Sequence, residues 1–411
     1  MFKRIPGTKD ILPEEADRWQ AVENTARRIF SVYNYRQIRT PIIEEAALFN
    51  RTLGNSTEIV QKQMFLIHNQ DDTYALRPEG TACIARSYIE NSLDKTQGFV
   101  KLYYIGPMFR MERPQKGRLR QFHHIGCEVI GSQEASVDIE LISLAKKLLD
   151  NFCVSGYKIK INSLGCPQDK QKLSASLKDR LRGKKEDLCP DCQVRLDNNV
   201  LRVLDCKNEG CRKIVREMDA KESCLCPDCQ GHFEKVINGL KDLDVPFEID
   251  PRLVRGLDYY NRTVFEITHP DLGSQDAIGA GGRYNNLVGE LGGPDTGGMG
   301  FAFGMERLII ASKPAQEKTL NKLVYLITLG EAAKTAGTRI LDKLRSCGIP
   351  SDTDYSSKSL KAALRAANDS GARYVLILGE DELNKGVISL KDMSLGTQKE
   401  VALEGITKEL E

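Results

Sequence analysis

The chain has 411 residues, 41% hydrophobic and 28% charged, and its 59 basic and 57 acidic side chains leave a formal net charge of +2. That length exceeds what one compact core usually holds, and the composition excludes a disordered chain, so two or three folded domains are expected. Near-neutrality excludes a global attraction to nucleic acid or membrane, and no apolar run approaches the ~18 residues of a bilayer span; any polyanion site must be local, and a soluble cytoplasmic protein is expected.

Residues 14–31 set Trp19, Val22, Ala26, Ile29 and Phe30 at helical spacing behind Pro13, Glu14 and Glu15, which predicts an amphipathic opening helix. Short β-prone runs follow (YRQIRTPII, TYALRP, FVKLYYIG, HHIGCEVIG), together with the helical run VDIELISLAKKLLDNF and without regular alternation. This order predicts an α+β fold, a mainly antiparallel sheet flanked by helices. From about 166 to 245 the texture becomes charged, helical and cysteine-bearing, as an inserted domain would be. Sheet-like sequence resumes with FEIDPRLVRGLDYYNRTVFEITHP and continues into GAGGRYNNLVGELGGPDTGGMGFAFGMERL. Glycines this dense let the backbone approach a ligand, and they do not fit the strand-GxGxxG-helix context of a dinucleotide loop. Beyond the polar linker SKPAQEKTLNK, VYLITL, a helix at 331–346, an extended piece at 349–355, a helix at 358–370, RYVLILG and VISLKDM alternate. They predict a separate α/β domain over 321–411, leaving 1–320 for the first domain and its insert.

Seven of the twelve cysteines crowd between Cys189 and Cys229. In a reducing compartment such crowding favours thiols or metal ligands over disulfides. The knuckles CPDC (Cys189 to Cys192) and CLCPDC (Cys224 to Cys229) suit tetrahedral thiolate ligation of Zn2+. Cys189, Cys192, Cys226 and Cys229 are the preferred ligands, with Cys206 and Cys211 as substitutes; free thiols or redox chemistry are the other readings.

Positive charge that is missing globally is concentrated in GPMFRMERPQKGRLRQFHHIGCEVIG, Gly106 to Gly131, where five basic residues face two acidic ones. Its flanks read as paired strands around a basic hairpin loop, ERPQKGRLRQ, with Pro114 and Gly117 supplying the turn. Such a loop suits phosphates, or is simply a solvated turn. Phe109, Arg110, Glu112, Phe122 and Glu128 resemble motif 2 of the class II aminoacyl-tRNA synthetases. Three further segments agree with it: LVRGLDYYNRTVFE is similar to the peptide of the histidyl-tRNA synthetases, GMGFAFGMERL to motif 3 ending on Arg307, and YALRPEGTA to the amino-acid platform. TPIIEEAALFNRTLG around Pro41 is similar to motif 1, the dimer contact of the family.

This resemblance, in order and over nearly the whole chain, implies a ligase of bacterial type that uses ATP with Mg2+ to activate L-histidine and passes it to the 3′ end of tRNA(His). It implies a homodimer whose C-terminal domain binds the anticodon. By the same resemblance Arg110 holds the α-phosphate, Arg307 the γ-phosphate, and Arg255 the reacting carboxylate and phosphate together. Phe122 stacks on adenine, Glu112 reads its edge, and Arg118 assists ATP and, with Arg120, approaches the acceptor end. Glu79 and Thr81 take the α-ammonium beside Gly80, Glu128 and Tyr260 bracket the imidazole, and Tyr259 shapes the pocket. His124 stands where the family commonly has glutamine; a titrating imidazole there would make histidine binding pH-dependent. The alternative is a silent family member serving as a regulatory subunit of histidine biosynthesis. Such proteins typically lack the anticodon domain and the catalytic arginines, whereas Arg110, Arg255, Arg307 and residues 322–411 are present here. A synthetase for threonine or proline conflicts with RGLDYY.

Overall fold

The helix expected at 14–31 spans Pro13–Val32, starts on a proline whose fixed φ suits the first turn, and buries all five residues of its predicted apolar stripe. It belongs to a computed structural model that describes residues 2–54, 57–218, 224–273, 276–312, 323–356 and 359–410. The chain divides into two units, Met1–Pro314 and Ala315–Glu411. Most of the predicted linker, from 313 to 322, lies outside the described residues, as does the expected 320/321 boundary.

The first unit is built on an eight-stranded sheet in the order Arg36–Gln37, Val100–Phe109, Gln121–Ile130, Gly298–Gly304, Ala277–Arg283, Asn261–Thr268, Lys158–Ser163, Glu248–Ile249. The six inner strands run antiparallel and only the two short edge strands pair in parallel. Along Gln121–Ile130, Ile125, Cys127 and Val129 enter a core formed with helices Pro13–Val32 and Ala135–Asn151. Because side chains alternate across a strand, Phe122, His124, Gly126 and Glu128 face the other way. On that second face, helices Ala46–Leu53 and Thr81–Glu90 form another core with Tyr104, Met108 and Ile130. The predicted basic hairpin is present: Phe109 pairs with Gln121, and Gln115 and Arg118 exchange backbone hydrogen bonds of 3.0 and 2.9 Å. Gly117 at φ +70° makes that tight turn possible.

The cysteine-bearing segment does not separate from this unit. It has a small core of its own, with Leu181, Val200 and Val203 around buried Cys192, Cys206 and Cys211. Its last helix, Pro227–Asp242, instead sends Val236 and Leu240 into the main core, and a Cβ at Gly239 would stand 2.2 Å from Ile139 Cδ1 of Ala135–Asn151. The insert's first helix spans Pro167–Arg182.

The second unit is a five-stranded sheet ordered Ser351–Thr353, Val324–Thr328, Tyr374–Leu378, Val387–Asp392, Gln398–Ala402; the first three strands are parallel and the last two antiparallel. Alternate residues of Val324–Thr328 serve two cores: Val324 and Leu326 pack with Glu331–Ser346, Tyr325 and Ile327 with Ala363 and Ala367 of Leu360–Asp369. Burial on both faces explains the unbroken apolar run VYLIT. Among the described residues, no helix is long and apolar enough to cross a membrane.

Candidate active site

On the second face of the large sheet lies a cavity of about 710 Å³. Of the residues singled out from the sequence, Glu79, Thr81, Arg110, Glu112, Arg118, Phe122, His124, Arg255, Tyr259, Tyr260 and Arg307 line it, whereas Gly80 and Glu128 do not. Segments far apart in the chain are brought together because Gln121–Ile130 and Gly298–Gly304 are neighbours in the sheet, and the RGLDYY loop leads directly into Asn261–Thr268 two strands further on.

One region of the cavity is cationic. Arg110 donates from Nε to Pro78 O at 2.9 Å, lies 5.4 Å from the Phe122 ring centroid and is 3.9 Å from Glu112, which also pairs with Arg118 at 3.0 Å. Arg307 reaches from the helix Met305–Ala311 to Gly117 O at 3.0 Å, tying the hairpin turn to the cavity wall. Burial lowers the pKa of both Arg110 and Arg307, and the Arg118 charge pushes each the same way. An arriving polyanion relieves that crowding. Arg255 pairs with Glu266, while its Nε is buried without a hydrogen-bond partner. Burial works against the Arg255 charge, but Glu266, together with Tyr260 and Asp205, outweighs it and the net shift is upward. A desolvated fork with one donor unused suits an anionic oxygen.

The Glu79 carboxylate accepts from Thr81 N at 2.7 Å and Ala82 N at 2.8 Å, so it sits on the N-terminus of Thr81–Glu90, with the Tyr259 hydroxyl 3.5 Å away. Burial raises its pKa and these N–H bonds oppose the rise. Glu128 lies deeper. The Thr81 and Tyr284 hydroxyls each donate to it at 2.7 Å, and burial pushes its carboxyl up to about 8. Glu128 thus stands behind Thr81. Gly300 is needed for this: a Cβ there would lie 1.7 Å from Glu128 Oε2. Gly300 and Gly298 thus make room for the chain's own Glu128 and Tyr284, while Gly279 and Gly304 line the cavity.

His124 lines the cavity, but the titration expected of it is opposed by its surroundings. Desolvation, helped by Arg110 and Arg77, pushes its imidazole down to about 3, so it is neutral near physiological pH and does not titrate there. Its Nδ1 is buried without a partner and its ring meets Phe122 edge-on at 5.2 Å.

Three contributors escaped the sequence. The Tyr104 ring lines the cavity, and a Cβ at either Gly80 or Gly126 would come within 2.5 Å of its Cζ. Glu266 opposes Arg255, and Arg77 ties the motif-1 segment to the platform through Thr40 O at 3.0 Å and Pro107 O at 2.9 Å. The VFE that ends the RGLDYY segment offered a signal for Glu266; Tyr104 was hidden in an ordinary strand.

The preferred four-cysteine zinc set does not assemble. Cys189 and Cys192 group with Cys206 and Cys211, while Cys226 and Cys229 group with Cys166 and Asp169. The two CPDC knuckles open different helices, Pro190–Asn198 and Pro227–Asp242, and only the first of these belongs to the insert's own small core.

Residues 7–308 match the family model of histidyl-tRNA synthetase. The chain belongs to the histidyl-tRNA synthetase family. A second model, the anticodon-binding domain, matches residues 323–411. Among its relatives, a histidine–tRNA ligase of Desulfitobacterium hafniense is 45% identical over 98% of this chain and 96% of its own length. One from Moorella thermoacetica is 45% identical over 99% of this chain and 97% of its own. The crystal structure of apo S. aureus histidyl-tRNA synthetase superposes with a TM-score of 0.81 at 32% identity and full coverage of both chains. The antiparallel sheet flanked by helices, followed by an anticodon-binding domain, is the class II synthetase architecture of this family.

Proposed function

We propose that this protein is a histidine–tRNA ligase, the reading supported best by one observation: Arg110, Arg255 and Arg307 line the same cavity as Glu79, Thr81, Tyr259 and Tyr260. A carboxylate oxygen of histidine attacks the α-phosphorus of ATP, the bond to the β,γ-phosphates breaks, and histidyl-adenylate and pyrophosphate form. The terminal 3′-hydroxyl of tRNA(His) then attacks the histidyl carbonyl and AMP leaves. The first step brings two anions together and spreads charge over phosphoryl oxygens, so fixed cations do most of the work. Arg110 takes the α-phosphate and Arg307 the γ-phosphate, with Arg118 alongside. Arg255, with its spare Nε, spans carboxylate and phosphate.

Glu79 and Thr81 receive the α-ammonium, and Tyr260, with Glu128 acting through Thr81, sets the imidazole pocket that Tyr259 closes. Phe122 offers a ring for adenine and Glu112 its edge contact. His124, neutral, offers an uncharged nitrogen beside them. Magnesium, which the family uses with ATP, needs one or two carboxylates besides the phosphates; Glu112, Glu266 and Asp276 line the cavity and fit that requirement.

The anticodon-domain match over 323–411 favours the ligase over the regulatory alternative. Dimer formation through the motif-1 segment is supported by exposed Ile42, Ile43, Leu66 and Ile67, of which the last three stand on the small sheet Ile43–Glu45, Asp72–Leu76, Phe65–Asn69. A cytoplasmic location is part of the same proposal.

The test is histidine-dependent ATP–pyrophosphate exchange. Wild-type protein exchanges with histidine alone among the amino acids, and Arg255→Ala lowers kcat by about a hundredfold or more. Folded wild-type protein without exchange overturns the assignment and leaves the regulatory reading.

A further inference from the structure

The segment between strand Lys158–Ser163 and strand Glu248–Ile249 repeats one local device three times. Cys166-Pro167-Gln168-Asp169, Cys189-Pro190-Asp191-Cys192 and Cys226-Pro227-Asp228-Cys229 each begin a helix, with the first cysteine as N-cap, proline at N1 and a second donor at N3. Proline is pre-organised for N1, and the N-cap-to-N3 spacing sets both donors of each device on the same helix end. Each device therefore offers two potential metal donors side by side. The fold joins the first device to the third, and completes the second with Cys206 and Cys211, the latter at N3 of helix Glu209–Glu217.

Within each group of four, every donor atom lies within 4.8 Å of the others. Three observations point to a cation at the centre of these groups. Cys189 Sγ and Cys206 Sγ are 3.8 Å apart, the edge of a tetrahedron with metal–sulfur bonds of about 2.3 Å and far from the ~2.0 Å of a disulfide. Asp169 is 1% exposed and its Oδ1 is buried with no hydrogen-bond partner, an arrangement that is costly unless a charge meets it. Finally, backbone N–H groups donate to the sulfurs, Cys189 N to Cys211 Sγ at 3.2 Å and Asn208 N to Cys206 Sγ at 3.4 Å, as outer-shell donors to bound thiolates do.

We propose that the segment holds two structural zinc ions, one bound by Cys189, Cys192, Cys206 and Cys211 and the other by Cys166, Asp169, Cys226 and Cys229. Compact, closed, four-donor thiolate sites select zinc over harder cations and leave no position open for substrate. Each thiol releases its proton as it binds, so four protons leave the first site and three the second, and each complex carries a net charge of −2. The two ions do different things. The all-sulfur site stands at the rim of the ligand cavity, which Cys189 and Cys206 line. The mixed site fastens the first helix of the insert to the last, beside Lys170, whose Nζ donates to Asp258 O and Tyr260 O at 2.9 Å each.

Full-length protein purified without chelator is assayed for metal by mass spectrometry and by X-ray absorption at the zinc edge. About two zinc ions per chain are expected, with an average shell of three to four sulfurs and some oxygen. Cys206→Ser removes one ion, Cys229→Ser removes the other, and the double variant removes both. Folded wild-type protein free of metal, or filled with iron, overturns the proposal. So does a single ion lost alike to Cys189→Ser and to Cys226→Ser, the signature of one mixed site. Where a variant fails to fold, cobalt(II) exchanged into the wild-type protein decides: two sets of tetrahedral thiolate bands support the two sites, and their absence overturns them.

Discussion

Glu128 holds a carboxyl where burial and hydrogen bonding disagree. Burial raises its pKa, the donated hydroxyls of Tyr284 and Thr81 lower it, and burial wins, leaving it at about 8. An unfolded chain releases this proton near the ordinary glutamate value of about 4.3, so between that pH and about 8 the native state binds a proton that the unfolded state has lost. The stability contributed is fully present below the lower limit and is lost as pH rises through the upper one. In ligand-free protein, the melting temperature therefore falls more steeply from pH 5 to 8 in the wild type than in Glu128→Gln. The amide of Gln can still accept from one hydroxyl and donate to the other, so the comparison isolates the proton. Parallel melting curves across that range would show that Glu128 does not titrate there. The same residue marks a limit of legibility. Alternation along HHIGCEVIG was enough to place Glu128 opposite Ile125, Cys127 and Val129, but its position behind Thr81 depends on Tyr284 and on the missing side chain of Gly300, which come from distant parts of the chain.

The loop 255–260 is held from outside the sheet. Arg202 Nη2 donates to Gly256 O at 2.8 Å, Asn199 Nδ2 to Asp258 Oδ1 at 2.9 Å, and Lys170 to two carbonyls of the same stretch. The cysteine-bearing insert therefore braces the loop that carries Arg255, and Arg202 itself lines the cavity. Arg202→Ala removes a charge-assisted bond worth ~1.5 kcal/mol, so kcat/KM for histidine in exchange falls roughly tenfold, with the melting temperature little changed and Arg202→Lys partly restoring the rate. An unaltered kcat/KM would mean that the loop keeps its shape unaided. Elements with local patterns were legible in the sequence: the opening helix, the basic hairpin, and VYLIT with its two helices all declare themselves by periodicity and turn residues. The cysteine pairing was not, because CPDC occurs twice with the same local geometry, and only the packing of Pro227–Asp242 into the main core separates the second knuckle from the first. Cys166-Pro-Gln-Asp went unnoticed as a third copy since its second donor is an aspartate.

At the scale of the molecule, each unit has its own core: among the described residues, the clusters under the large sheet and in the insert draw on residues before 313, and those under the five-stranded sheet on residues after 322. Units that bury their apolar surface independently fold independently, and chemistry follows the unit that owns the cavity. Among the described residues, those lining that cavity lie between Glu58 and Arg307. A chain ending at Ser312 should therefore keep histidine-dependent pyrophosphate exchange within about threefold, since each arginine, platform residue and insert contact is retained. Charging of tRNA(His) should fall roughly a hundredfold, equivalent to ~2.7 kcal/mol of lost tRNA binding, and what remains should lose part of its salt dependence because fewer phosphates are contacted. Circular dichroism and a cooperative melt establish that the shortened chain is folded. Loss of exchange in that folded chain would make the C-terminal unit part of the activation machinery, and undiminished charging would remove it from tRNA recognition.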